Sequence, residues 1–279
     1  MTIWVVYHDP CIDGFMSAYV LHKIYPFAEY VPMAYGKPLP FTPEKQDRVI
    51  FADFSLKRPE MLKLAETYCQ IFVFDHHQSA ENELVNLPPN IETIFDKSEC
   101  GASLIAKVLN IELDENEKTT LLYVKDRDLY IGALKATEYM HLALLSLPKD
   151  FDVWEKEINQ GVESLISKGS AIAPYKKLLV DEFVKSAILK TWRGYQDIPV
   201  VNCPDVFATD VLAILAVNRP FAVSYWVIGD RVKYSLRSNK NSPSAVDVAE
   251  LAQSLGGGGH KNASGFTVPS YTRLQDDLS

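Results

Sequence analysis

The chain is poor in cysteine. Only Cys11, Cys69, Cys100 and Cys203 occur in 279 residues, and no two of them form a C-x-x-C pair. That scatter excludes a zinc ribbon and a disulfide framework and leaves reduced thiols in a cytoplasmic protein as the reading. Long apolar runs are missing as well, since none approaches the roughly 18 residues of a membrane helix. The opening run Ile3–Tyr7 is too short for a signal-peptide core and has no basic leader, so a cytoplasmic location is expected. Positive charge is in deficit: 28 Lys and Arg stand against 36 Asp and Glu, a net charge of −8. Such a chain has no broad electrostatic footprint for duplex nucleic acid, although a short nucleotide still fits a locally basic cleft. Two catalytic signatures are also absent. There is no Gly-x-Ser-x-Gly elbow, and Gly259 is followed by His260 before Lys261, which breaks a Walker-type loop. No internal repeat is seen.

What is present is an ordinary globular composition, 47% hydrophobic and 23% charged, in a chain longer than one core usually serves. The first 130 residues alternate strand-like and helix-like runs, the pattern of a largely parallel α/β sheet. Strands are expected at Ile3–Tyr7, Tyr30–Tyr35, Val49–Asp53 and Ile71–Asp75. Helices are expected at Gly14–Tyr25, Pro59–Tyr68, Ala102–Leu109, Glu115–Val124 and Leu134–Leu145. Residues 151–189 read as helical with breaks at Gly161, Gly169 and Pro174. The remainder reads as strands at Pro199–Asn202, Ala222–Ile228 and Val232–Arg237, with helices at Thr209–Val217 and Ala245–Ser254. The expected organisation is a larger parallel-sheet domain over 1–168, a helical bridge over 169–189 and a smaller α/β domain over 190–279.

The most informative segment is Ile71-Phe72-Val73-Phe74-Asp75-His76-His77, a strand-like run that delivers one carboxylate and two imidazoles. Adjacent histidines on extended backbone point opposite ways, so the two do not chelate one ion together; one ligates and its neighbour does another job. Other strand ends add His8-Asp9-Pro10-Cys11-Ile12-Asp13-Gly14 and Asp53, and a helix adds Asp126-Arg127-Asp128. In a parallel sheet the carboxyl ends of the strands share one edge, where ligands bind, so these groups can converge. Mixed imidazole and carboxylate donors suit divalent metals, Mn²⁺ when oxygen dominates. Five or more such groups exceed one site and point to two ions about 3.5–4 Å apart.

These motifs, in this order, resemble the DHH phosphoesterases that carry a DHH-associated substrate-binding domain. His8 to Gly14 is similar to the first family motif, Asp53 to the second, Asp75-His76-His77 to the third and Asp126 to the fourth. Gly256-Gly257-Gly258-Gly259-His260-Lys261 through Phe266 resembles the glycine-rich motif of the associated domain, and Tyr234–Ser238 the strand before it. The resemblance implies two Mn²⁺ ions, with Mg²⁺ or Co²⁺ as substitutes, held by His8, Asp13, Asp53, His76 and Asp126, with Asp53 bridging. It implies that Asp75 orients His76 and that His77 faces the substrate phosphate. It implies further that Arg237, His260, Ser238, Lys261 and the loop Gly257, Gly258 and Gly259 bind substrate. Cys11 departs from the aspartate common at its position; it ligates, packs, or leaves one site weaker, with Asp9 as a substitute ligand. Asp126 and Asp128 compete for the fourth motif, spacing favouring Asp126.

Alternation along the strand places Arg231, Lys233 and Arg237 on one face, as a phosphate-binding wall would require. Trp154, Trp192, Tyr195 and Trp226 are assigned to cores or to the bridge. The expected activity is hydrolysis of phosphodiester bonds in short oligonucleotides or signalling dinucleotides by a metal-activated water. The alternatives are an exopolyphosphatase-like phosphohydrolase and a non-catalytic nucleotide sensor. A homodimer follows from family analogy alone.

Overall fold

The computed structural model describes residues 1–270. Its first half builds β1 (Ile3–His8), α1 (Ile12–His22), β2 (Glu29–Met33), β3 (Arg48–Ala52), α2 (Arg58–Ala65) and β4 (Gln70–Asp75). Then come α3 (Gln78–Glu83), β5 (Ile91–Phe95), α4 (Gly101–Val108), α5 (Glu115–Asp128) and α6 (Thr137–Ser146). The five strands form one parallel sheet in the order β2-β1-β3-β4-β5. β3 and β4 are nearly continuous apolar runs buried on both faces, as interior parallel strands must be. One core layer lies between the sheet and α1, α4, α5 and α6, and the other between the sheet and α2. Pro59 sits in the first turn of α2, where its missing N–H costs nothing. Asp114 and Glu117 close a reciprocal capping box at the start of α5.

The chain order crosses over at β1: β2 lies on one side of it and β3 on the other. In an open α/β sheet that reversal leaves a crevice at the carboxyl ends of the strands. Register aligns Tyr7 with Ala52 and Ala52 with Phe74, so His8, Asp53 and Asp75 follow one step further on neighbouring strands.

After α7 (Phe151–Asn159) runs α8 (Val162–Ser186), so the helical stretch breaks only once, at Gly161, rather than at three points. Gly169 is retained inside the helix for space, since a Cβ there would lie 1.7 Å from the Tyr139 carbonyl oxygen. Pro174 is also inside it. The chain divides into two compact units, Met1–Ala173 and Pro174–Ser279, at that proline.

The second unit adds β6 (Ile188–Trp192), β7 (Tyr195–Asn202), α9 (Asp205–Leu215), β8 (Ala222–Ile228), β9 (Arg231–Arg237), α10 (Val248–Gln253), β10 (Gly258–His260) and β11 (Ala263–Pro269). Its mixed sheet has the order β10-β11-β9-β8-β7-β6, only β7 and β8 running parallel. One face packs on α10 and the other on α9 with the end of α8. Trp154 and Trp192 are fully buried, as expected of core aromatics. Among the described residues no helix is long and apolar enough to cross a membrane.

Candidate metal centre

Four separated segments of the first unit meet at the crevice. β1 ends on His8, whose Nδ1 lies 3.5 Å from Asp53 Oδ2. The other Asp53 oxygen, Oδ1, lies 3.2 Å from His76 Nε2. The same His76 nitrogen is 3.4 Å from Asp128 Oδ2 and 3.9 Å from Asp13 Oδ2. The donor atoms fall into three overlapping groups, each within 4.8 Å: His8, Cys11 and Asp53; Asp53, His76 and His77; Asp13, His76 and Asp128.

Local structure aims these groups. Asp53 leaves β3 at φ 53°, a left-handed conformation that aspartate tolerates better than most residues, with its N–H donating to Phe74 O. Asp13 stands in the first turn of α1 and accepts from the N–H groups of Gly101 at 2.6 Å and Ala102 at 3.0 Å, at the start of α4. Gly101 is required there, because a Cβ would lie 2.5 Å from the Asp53 Cβ. Gly14 is similarly confined against the His8 carbonyl. Asp75 Oδ1 accepts from the N–H groups of His76 and His77 and lies 2.6 Å from His77 Nδ1.

The electrostatics are those of a cation site. Asp53, Asp75 and Asp13 are all about 1% exposed or less. Both Asp53 oxygens, Asp75 Oδ2, Asp128 Oδ2, His8 Nδ1 and His76 Nε2 are buried without a hydrogen-bond partner. Orphaned lone pairs of that kind are costly unless something positive meets them. Burial pushes the Asp13 carboxyl far above its usual range, helped by Asp53 and Asp128. Burial and the Asp53 charge lift Asp128 to about 6. Burial also raises Asp53, but His76, His8 and His77 overcome it and hold that carboxyl below the usual range. For His77, burial is outweighed by Asp75, and the ring is pushed up to about 9. This set of imidazoles and carboxylates fits one or two divalent ions, as the donor chemistry expects.

Three expectations about the centre change. Asp126 does not enter it: its carboxylate accepts from the N–H groups of Ala133 and Leu134 and from the Thr137 hydroxyl, tying down the loop after α5. Asp128, two residues on, faces His76 instead. Asp75 orients His77 through Nδ1 rather than the ring of His76. Asp9 is turned to a salt bridge with Lys149, which removes it as a substitute ligand. Tyr35 is an addition that no sequence signal marked. The residue is 49% exposed, and its ring sits edge-on to His8 at 5.0 Å and against Phe54 at 4.9 Å.

In the second unit, His260, Ala263 and Arg237 share one rung across β10, β11 and β9. Side chains of one rung share a face, so His260 and Arg237 project to the same side. Ser238 does not join them as a binding group: it is buried, and its hydroxyl accepts from Asn262 Nδ2 at 2.9 Å. Lys233 is committed to Asp205 at 2.6 Å, which removes it from the expected basic wall. Gly257 and Gly259 are needed for packing, since Cβ atoms there would lie 2.1 Å from the Gly265 carbonyl oxygen and 2.6 Å from that of Ala263. Gly258 has open space, and Lys261 is exposed with its carbonyl accepting from the Val248 N–H.

The family comparisons agree with both halves of this layout. Residues 2–129 match the model of the DHH family N-terminal domain, and residues 208–279 match that of the DHHA1 domain. The first part of the chain is thus similar to a DHH domain and its last part to a DHHA1 domain. An uncharacterized protein of Acanthamoeba polyphaga mimivirus is 27% identical over 286 residues, covering 94% of this chain and 66% of its own length. The chain therefore spans less than two thirds of that relative. Among solved structures, the DHH domain of a member of a ribosomal protein family aligns with a TM-score of 0.64 at 11% identity, covering 99% of this chain and 84% of that one. An exopolyphosphatase-related protein from Bacteroides fragilis aligns at 0.56 and 15%, covering 99% and 89%. The exonuclease RecJ bound to manganese aligns at 0.50 and 14%, covering 97% and 86%. At these identities the likeness is one of fold.

Proposed function

We propose that the protein is a divalent-metal-dependent phosphoesterase that hydrolyses phosphodiester bonds in short oligonucleotides or signalling dinucleotides, with water as the nucleophile. The observation that carries this reading is the convergence of His8, Asp53, His76 and Asp128 with their buried lone pairs unsatisfied. Asp53 directs one oxygen toward His8 and the other toward His76, the disposition of a bridging carboxylate. Divalent ions held there, Mn²⁺ by preference, would acidify a water molecule and neutralise charge growing on the phosphoryl oxygens. Asp13, anchored by two backbone N–H groups, and Asp128 supply the remaining oxygen donors. His77, with Asp75 fixing its Nδ1 proton, presents positive charge beside the cluster to a phosphoryl oxygen. Arg237, His260, Lys261 and the open Gly258 form a second phosphate-binding edge on the DHHA1 unit. The manganese-bound exonuclease of the same fold supports the metal and the substrate class.

Tyr35 favours a nucleotide over polyphosphate, because an aromatic side chain of a partly exposed residue beside the centre offers a stacking surface that polyphosphate does not need. The test is a Mn²⁺-dependent hydrolysis panel of two- to five-nucleotide RNA and DNA, cyclic dinucleotides, adenosine bisphosphate and polyphosphate. Nucleotide cleavage is expected, lost in His76→Ala. Tyr35→Ala should raise KM on nucleotides by the ~1–3 kcal/mol that stacking is worth per base, with Tyr35→Phe close to wild type. Turnover confined to polyphosphate would replace this reading with the exopolyphosphatase-like one, and metal binding without turnover on any of these would contradict the proposed substrate class. A chain that binds no divalent ion would sink the enzyme reading.

A further inference from the structure

The donor atoms around Asp53 are chemically unequal, and the inequality rests on Cys11. On the His76 side the donors are Asp13, His76 and Asp128, one nitrogen and two carboxylates. On the His8 side they are His8, Cys11 and Asp53, one nitrogen, one sulfur and one carboxylate. Cys11 precedes α1 in extended conformation, φ −129° and ψ 141°, and its side chain makes no capping hydrogen bond. Its sulfur lies instead within 4.8 Å of the His8 and Asp53 donor atoms. Asp9 does not replace it, being engaged with Lys149. The group also contains Asp53, about 1% exposed, whose two oxygens lack hydrogen-bond partners.

We infer that Cys11 is a thiolate ligand, so that the centre has two different metal positions. The one at His8, Cys11 and Asp53 selects a borderline ion such as Zn²⁺, Co²⁺ or Fe²⁺. The one at Asp13, His76 and Asp128 takes a hard ion such as Mn²⁺. This rests on the metal-centre reading above and deepens it. Thiolate is a poor partner for Mn²⁺ and a good one for Zn²⁺ and Co²⁺, whereas carboxylates reverse the preference. Binding at the first position releases the Cys11 Sγ proton to solvent, and the sulfur lone pair enters the coordination bond. No oxidation or reduction is involved. The consequence is a mixed-metal enzyme, in which preparations supplied with Mn²⁺ alone are under-loaded at the His8 side.

The test uses the full chain stripped by chelator and titrated with Co²⁺. A thiolate-to-cobalt charge-transfer band in the near ultraviolet is expected to grow with one of the two bound ions. Cys11→Ser should abolish the band and weaken one cobalt by at least the ~10–100-fold that loss of even an outer partner costs. Cys100→Ser, the other thiol beside Asp13, should keep the band. One equivalent of Zn²⁺ added over excess Mn²⁺ should leave one of each ion per chain by elemental analysis, while Cys11→Asp retains two Mn²⁺. Because a variant can fail to fold, the wild type supplies an independent readout: metal should protect Cys11, the one partly exposed cysteine, from alkylation. Two cobalts with no band, a band that survives Cys11→Ser, or unprotected alkylation would overturn this inference alone. Absence of stoichiometric cobalt would overturn the metal centre and this inference with it.

Discussion

Asp126 and Asp128 show where residue-level reading meets its limit. On a helix at 3.6 residues per turn, two positions apart means roughly 200° of rotation, so the two carboxylates face opposite ways. Which of them faces the crevice depends on how α5 rolls against the sheet, and spacing along the chain holds no record of that roll. His8, Asp53 and Asp75 were legible for the opposite reason, since a strand end on a parallel sheet has one place to go. The two acids separate experimentally. Asp126→Ala strands the N–H groups of Ala133 and Leu134, leaving the Thr137 hydroxyl only the Leu134 carbonyl, and should cost about 1–3 kcal/mol of stability with metal stoichiometry intact. Asp128→Asn should do the reverse: thermal denaturation of the metal-free protein stays level or rises as a buried like charge is removed, while one ion is lost on titration. A loss of metal in Asp126→Ala with Asp128→Asn fully loaded would invert the assignment.

At the scale of elements, the strands and helices that carry motifs were visible in the hydrophobic pattern. Those without motifs were less so. β5 (Ile91–Phe95) is short, follows Pro88-Pro89, and lies at the sheet edge, where half its face is solvated and the apolar run is weak. α8 passes through Gly169 and Pro174, which normally end a helix, because packing outweighs local preference at Gly169. β6 appears where a helix to Leu189 was expected, since pairing with β7 claims Ile188 to Trp192. The α4 start is the element whose role the sequence concealed most. Its Gly101 N–H holds Asp13 while its missing side chain leaves room for Asp53. Gly101→Ala should therefore act on the centre rather than on the helix, whose propensity it improves. Circular dichroism should show a folded protein, while calorimetric metal titration shows affinity reduced at least tenfold. Unchanged affinity would mean that α4 plays no part in placing the ligands.

For the whole molecule, the buried charges predict a pH dependence. Asp128, lifted to about 6, binds more protons folded than unfolded between its usual range and pH 6, so stability falls as pH rises through that window. His77, raised to about 9, and His76, raised in the same direction, continue the loss from about pH 6.5 upward. Asp53, held low, acts with the opposite sign and only in acid. The melting temperature of chelated protein should thus decline between about pH 5 and pH 9. Divalent ions should flatten that slope and stabilise more at pH 8 than at pH 5, because they replace the protons. A melting temperature independent of pH, or one that metal raises equally throughout, would show that these groups are not coupled in the folded state.

The ligands also come from far apart in the chain. Ions shared by His8, Cys11, Asp53, His76 and Asp128 would fasten residue 8 to residue 128, enclosing four strands of the sheet and the helices α1 to α5. A covalent staple closing a loop near that length removes about 4.7 kcal/mol of unfolded-chain freedom. The described cysteines are all free, and no disulfide spans this sheet. The crevice would then do the work of a cross-link that can be opened and closed by metal supply, and the same contacts that prepare the chemistry would decide how long the unit stays folded.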